Sequence, residues 1–457
     1  MNMKKILLLA VLSFLMLSCR KEFLDKKPDK SIITPTTLEE LEALLNNRSN
    51  LFNGNTPRLP LVATDNIWTT QENLLSANTE VRNSFLWRTD IYEGESSGDW
   101  MYQYQRIFYC NVILEQLLVV DAVDDMEKFN QIKGAALFFR AWSHYELSQQ
   151  FASPYNVNTA NEMLGIPIRT QADVNIRNHR ASVQETYNAV IADLLEAEIY
   201  LPLEVSNKTR PSKIAIWILL ARIYLTMHDY GNALGYAKKA LSEKSEVIDY
   251  NDYNVDNALS FPSFANGLNE EVILHMASST NIFVHYLIAT SYVDTVLVSQ
   301  YASKDLRKQL FFTDRVANRY TFKGSYAGNV NFTGLAIDEL YLIAAECLIR
   351  QGNWLEGIST LNQLLEKRWA NGFFEPINVD TGEEALSVVL QERRKELIFR
   401  GLRWSDLRRL NQDPMTAVTL VRKIGNEEYY LEPNSIRYTF PIPDQEINNS
   451  QIEQNPR

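Results

Sequence analysis

The chain carries five histidines, His144, His179, His228, His275 and His285, and none stands where a metal or a proton relay would need it. A zinc-binding helix needs His-Glu-x-x-His and a zinc or redox knuckle needs Cys-x-x-Cys; neither occurs. Phosphate-cradling glycine loops and a Gly-x-Ser-x-Gly nucleophile turn are absent too. Neighbouring acids such as Asp124/Asp125 and Glu383/Glu384 arise by chance in an acid-rich chain, and a glycosidase pair is defined by a spatial separation that sequence does not hold. The densest charge cluster, Glu392–Arg409, sets carboxylates against arginines at helical spacing, with Arg403 expected to reach Asp406. No histidine or activated nucleophile accompanies it, so it reads as a structural lattice of ion pairs. No catalytic residue, metal or cofactor is expected.

What the residues offer instead is grip. Asp65-Asn66-Ile67-Trp68, Trp87-Arg88-Thr89-Asp90 and Asp99-Trp100-Met101-Tyr102-Gln103-Tyr104 mix flat aromatic faces with amides, carboxylates and arginine. An aromatic ring covers the apolar face of a sugar while polar neighbours hydrogen-bond its hydroxyls. Each group has a plainer reading. Trp100 and Tyr104 are four apart and can pack one helix face; Asp65 and Asn66 can cap a turn. Trp68 and Trp87 are the better candidates for ligand contact.

The elements that must position these groups are helical. Apolar residues recur at helical spacing in Gln131–Phe151, in Ile214–Leu225 behind Pro211, and in Leu340–Leu348. Further helices are predicted at Leu38–Asn46, Trp100–Val120, Ser182–Leu201, Asn232–Ser242, Trp354–Trp369 and Glu383–Asn411, with Trp142, Trp217 and Trp404 assigned to the core. Strand signal is confined to Glu271–Met276 and Tyr438–Ile442. An internal repeat aligns Ala221–Ala233 with Ala345–Gly357: a helix ends in a tight turn at His228 or Gly352, then an aromatic and a small residue open a second helix. That spacing is similar to a tetratricopeptide unit. Long inserts around 46–98 and 245–334 interrupt the array, and loops on a rigid scaffold are where binding groups usually sit.

At the start, Lys4 and Lys5 precede the apolar run Ile6–Leu17, which suits an export signal and is too short to span a bilayer. Ser18 before Cys19, behind Met16 and Leu17, fits the cleavage box of bacterial lipoproteins, so residues 1–18 are read as the signal and Cys19 as the lipid-bearing residue. Several acyl chains on one cysteine anchor firmly. Cys110 and Cys347 remain inside helical patterns, and whether they are bridged stays open at this stage. The 457 residues carry 45 Lys+Arg against 56 Asp+Glu, a formal charge of −11, which argues against broad nucleic-acid binding. With 46% hydrophobic residues the chain can build a large core without disulfides.

The ends of the chain then carry a resemblance. Cys19-Arg-Lys-Glu-Phe23-Leu24-Asp25-Lys-Lys-Pro28 resembles the mature start of the SusD/RagB family of Bacteroidota outer-membrane lipoproteins. Glu392-Arg-Arg-Lys-Glu-Leu-Ile-Phe-Arg-Gly401-Leu-Arg403-Trp404-Ser-Asp406-Leu-Arg-Arg409 is similar to that family's most recognisable motif, with Arg400 and Leu402 in place of the usual Glu and His. Pro441–Asn448 and Gln454-Asn455-Pro456 are similar to its ending, although Asn449-Ser450 replaces the frequent Asn-Pro. The resemblance implies a mainly α SusD-like fold over residues 19–457, with interrupted tetratricopeptide-like helix pairs and large loop inserts. It implies a non-catalytic lipoprotein on the outer leaflet, facing outward over a SusC-like TonB-dependent transporter and capturing oligosaccharides. It adds Tyr286 and Tyr292, before the family-like Tyr301–Arg307, as candidate ligand contacts. A RagB-like oligopeptide binder is the alternative cargo reading; a helical-repeat scaffold for envelope assembly is the alternative of another class.

Overall fold

The computed structural model describes residues 35–120, 125–278 and 290–457. Its principal helices are α1 (Leu38–Leu45), α2 (Gly98–Gln116), α3 (Met126–Phe151), α4 (Val183–Tyr200), α5 (Lys213–Thr226), α6 (Tyr230–Glu243), α7 (Ile337–Arg350), α8 (Trp354–Glu366), α9 (Gly382–Glu396) and α10 (Arg403–Leu410). Their starts are chemically marked. Thr37 and Glu40 form a reciprocal capping box on α1, as Ser182 and Glu185 do on α4, and Asp125, Asp229 and Thr381 cap α3, α6 and α9. Each satisfies backbone N–H groups that a first helical turn leaves without partners.

The helices pack in sequence order: α2 on α3, α3 on α4, α4 on α5, α5 on α6, α6 on α7, and α7 on both α8 and α9. The repeat read from the sequence falls on α5/α6 and α7/α8. His228 and Gly352 occupy matching turns and both take the left-handed backbone, at φ +61° and +87°. At the matching small positions Ala233 is fully buried, and a Cβ on Gly357 would meet the Ala345 carbonyl oxygen at 2.9 Å and Ile349 Cγ1 at 2.6 Å. The helices of the second pair therefore touch through backbone.

One predicted helix is two. Glu383–Asn411 breaks between α9 and α10 because Phe399 and Gly401 take φ of +56° and +78°, which no α-helix accommodates. Strand content is small: five two-stranded ladders, all antiparallel, among the described residues. Val272–Leu274 confirms the first strand prediction in shortened form. Tyr438–Ile442 does not form a strand; Ile436–Tyr438 is a single 3-10 turn. A hairpin that was not anticipated, Leu420–Ile424 with Glu427–Leu431, closes through Gly425 at φ +60°.

Two apolar clusters result. The larger runs through α1–α10 and holds Trp142, Trp217 and Trp404 as expected. The smaller gathers residues mainly of the two long inserts, among them Phe85, Tyr250, Phe261, Val272, Phe311, Tyr326 and Phe332. Cys110 and Cys347 are both buried and free, so no disulfide joins them. No helix among the described residues is long and apolar enough to cross a membrane.

Candidate functional site

The predicted binding residues do not assemble into one site. Trp87 is buried, its indole N–H donates to the Ala63 carbonyl at 2.8 Å, and the Arg422 guanidinium lies 4.4 Å from its ring centre. It is a core residue, not an open face. Trp100 is also core: it packs against Tyr104 at 4.7 Å and Phe151 at 5.0 Å, while the Tyr104 hydroxyl donates to Pro167 at 2.9 Å. The four-residue spacing marked a packing face.

Asp65 and Asn66 are spent on arginines. Both Asp65 oxygens accept from Arg403 at 2.8 Å, Arg394 pairs with Asp65 at 3.2 Å, and the Arg394 Nε–H donates to Asn66 Oδ1 at 3.0 Å. Although burial opposes it, the charges of Arg403 and Arg394 hold the Asp65 carboxyl well below the usual carboxylate range. Asp65 and Asn66 thus act as a clamp, and are not free to meet a ligand hydroxyl. Trp68 and Tyr292 do come together: Ile67–Trp68 pairs with Tyr292–Val293, and the two rings lie 4.8 Å apart. Tyr292 is buried and Trp68 only half-buried. Tyr286, like Cys19 and the signal segment 1–18, lies outside the described residues.

An open cavity of about 680 Å³ lies elsewhere, where the two long inserts meet. Its wall is built by cross-linking three chain segments. Ala277 N–H donates to the Asn53 carbonyl at 2.8 Å, Thr56 N–H to Ala277 at 3.3 Å, and Ser278 N–H to Asn331 at 3.1 Å. Asn53, at the end of the short helix Arg48–Phe52, donates to the carbonyls of Thr209 at 3.1 Å and His275 at 2.8 Å. That leaves Asn53 Oδ1, Ser278 Oγ and both His275 ring nitrogens buried and, among the described residues, without hydrogen-bond partners. Each such group costs roughly 1–3 kcal/mol until something pairs with it. Burial above all, with the Arg48 charge nearby, pulls His275 down to about 4, so its ring is neutral at pH 7 and offers one donor and one acceptor.

Phe264 supplies the apolar face. It sits on the single turn Phe264–Asn266, is 41% exposed, lies 5.1 Å from the His275 ring and is covered by Arg48 at 5.3 Å. None of these residues was singled out from the sequence. The available signal was a large apolar residue set among turn formers, Pro262-Ser263-Phe264-Ala265-Asn266-Gly267, inside an insert already marked as a binding region.

With this geometry in view, the likeness to known proteins is informative. Residues 22–225 match a SusD-like family described as starch-binding and associating with the outer membrane, and residues 312–457 match the SusD family itself. The chain belongs to the SusD/RagB family. The SusD-like protein P2 of Formosa agariphila is 25% identical over 82% of each chain. A SusD superfamily protein of Bacteroides thetaiotaomicron shares the fold at TM-score 0.74 and 19% identity, over 92% of this chain and 100% of that one. A SusD-like carbohydrate-binding protein of Bacteroides vulgatus superposes at TM-score 0.70 with 20% identity, over 91% and 97%.

In this SusD/RagB protein the Glu392–Arg409 segment is a buried ion lattice. Arg307 donates to Asp305 (2.7 Å), Glu392 (2.6 Å) and Glu396 (3.0 Å), and Arg368 to Glu396 (2.6 Å) and Glu271 (2.8 Å). Arg393 and Arg409 both hold Asp406, at 2.9 and 2.8 Å, so Arg403 is free to turn to Asp65 and the expected Arg403–Asp406 pair does not form. Arg409 also grips Glu346 and brings its carboxyl down to about 2 against the effect of burial. Arg400, where the family usually has Glu, pairs with Asp338 at 3.0 Å. These acids are bound by guanidinium groups rather than aimed at a cleft. Among the described residues no cluster of His, Cys, Asp and Glu could hold a metal.

Proposed function

We propose that this chain is a surface-facing lipoprotein that captures oligosaccharides and hands them unaltered to a SusC-like TonB-dependent transporter in the outer membrane. In this reading residues 1–18 are removed, Cys19 carries the lipid, and residues 19–457 form the binding body.

The observation that carries it is the open cavity: an exposed aromatic face, Phe264, beside amide, imidazole and hydroxyl atoms that have no hydrogen-bond partner among the described residues. Flat apolar surface plus unspent hydrogen-bonding groups is what a pyranose, with its C–H face and ring of hydroxyls, requires. The descriptions of relatives, starch-binding for the family matched by residues 22–225 and carbohydrate-binding for a Bacteroides vulgatus structure, support the same ligand class. Trp68, half-buried and tilted against Tyr292, keeps an open edge.

Calorimetry against a panel of oligosaccharides and oligopeptides tests the reading. Phe264→Ala is expected to weaken oligosaccharide binding roughly tenfold or more, the scale of a lost aromatic contact, with no change in melting temperature because the ring is exposed. Binding to peptides alone would overturn it, as would new reducing ends on incubation with polysaccharide. Purification from membranes should bring down a large β-barrel transporter; recovery of an assembly machine instead would favour the scaffold reading.

A further inference from the structure

The cavity has a charge character that its acid-rich chain does not lead one to expect. Although Asp and Glu outnumber Lys and Arg by 56 to 45, none of the residues lining the cavity is acidic. A single cation is present instead among the described residues: Arg48 lines the cavity and is held over Phe264 by a cation–π contact at 5.3 Å.

Among the described residues Arg48 forms no ion pair, whereas Arg393, Arg400, Arg403 and Arg409 of the lattice are matched to carboxylates at 2.5–3.0 Å. A cation in a cavity with no acid in its lining is answered when an anion arrives. A neutral sugar would leave that charge unanswered; a carboxylate or sulfate on the sugar would pair with it.

We infer that the cavity selects acidic oligosaccharides, reading a uronate carboxylate or a sulfate ester through Arg48 while Phe264 takes the ring face. The inference rests on the cavity being the ligand site.

The test uses the full chain purified in detergent and three tetrasaccharide probes measured by calorimetry: tetragalacturonate for the carboxylate, a carrageenan-derived sulfated tetrasaccharide for the sulfate, and neutral galactotetraose. At least one acidic probe is expected to bind roughly tenfold or more tighter than the neutral one, the scale of a charge-assisted hydrogen bond. Raising salt from about 50 mM to about 0.5 M should erode that preference. Arg48→Gln should remove it, bringing the affinities for the acidic and neutral probes together. Equal or tighter binding of the neutral probe, or an unchanged preference in Arg48→Gln, overturns the inference and leaves the glycan reading standing. Binding of peptides with no binding of any saccharide overturns both.

Discussion

Individual side chains show where chemistry was visible in the sequence and where context decided. Asp65, Asn66 and Trp87 had the right types for ligand contact, but their partners, Arg394, Arg403 and Arg422, lie more than three hundred residues away in the chain. No local pattern announces such partners. The spacing of Trp100 and Tyr104, by contrast, did contain its answer. Buried histidines give a prediction at the same scale. Burial first of all holds His144 down to about 3 and His228 and His275 to about 4, against about 6.5 for an unfolded imidazole. Between those values the unfolded chain binds more protons than the native one, so stability is lost as pH falls from about 6.5 towards 4. The arginine-held Glu346, lowered to about 2, adds to the loss below the usual glutamate range. For a fully buried ring such as His144 the loss at pH 5 is about 2 kcal/mol. Glu146 and Glu271, raised by burial to about 7, work in the opposite direction over the same window, so the His144 share is read as a difference: between pH 7 and 5, His144→Gln, which keeps an acceptor for the Arg169 N–H, should lose about 2 kcal/mol less than the parent in denaturant titrations. An identical pH dependence in the two proteins would contradict the assignment.

At the level of elements the sequence was a good guide to helices and a poor one to their interruptions. Apolar periodicity placed α3, α5 and α7, whose stripes are long. It ran straight through α9 and α10 because nothing in Phe399–Gly401 but one glycine signals the break. The Gly425-Asn426 turn between alternating residues was a hairpin signal left unread. The repeat supplies opposed expectations. Gly357→Ala should destabilise by about 1–3 kcal/mol, since the new methyl collides with backbone in the helix pair. His228→Gly should cost nothing or stabilise by up to about 1 kcal/mol, because His228 holds a left-handed turn that glycine enters freely. Thermal melting of the two variants, moving in opposite directions from the parent, checks both; a stabilised Gly357→Ala would mean that the helix pair is looser than its geometry.

Taken whole, the molecule has two apolar clusters and one charged seam between them. Glu396 joins Arg307 to Arg368, and those arginines reach Asp305, Glu392 and Glu271 on separate segments. Removing one member of a buried pair typically costs about 3–5 kcal/mol, because the remaining charge is stranded. Glu396→Gln, which strands two guanidinium groups, should therefore lower the calorimetric melting temperature sharply, while the parent melts in a single transition. Two well-separated transitions in the parent would show that the seam does not couple the clusters. This scale was the most legible from the sequence, since ordered landmarks spread over the chain pointed to one architecture. The cavity was least legible: it depends on Asn53, Phe264 and His275 meeting from distant segments, and each is unremarkable alone.

The arginine clamps also set an order of events. Arg403 closes on Asp65, Arg422 reaches the carbonyls of Val62 and Thr64, the Tyr92 hydroxyl donates to Pro441, and Arg457 reaches Arg88. A nascent polypeptide that has emerged only as far as α9 possesses every helix pair and none of these fastenings. The stretch 62–92 must wait, only partly buckled, until translation and export deliver the segments that tie it down.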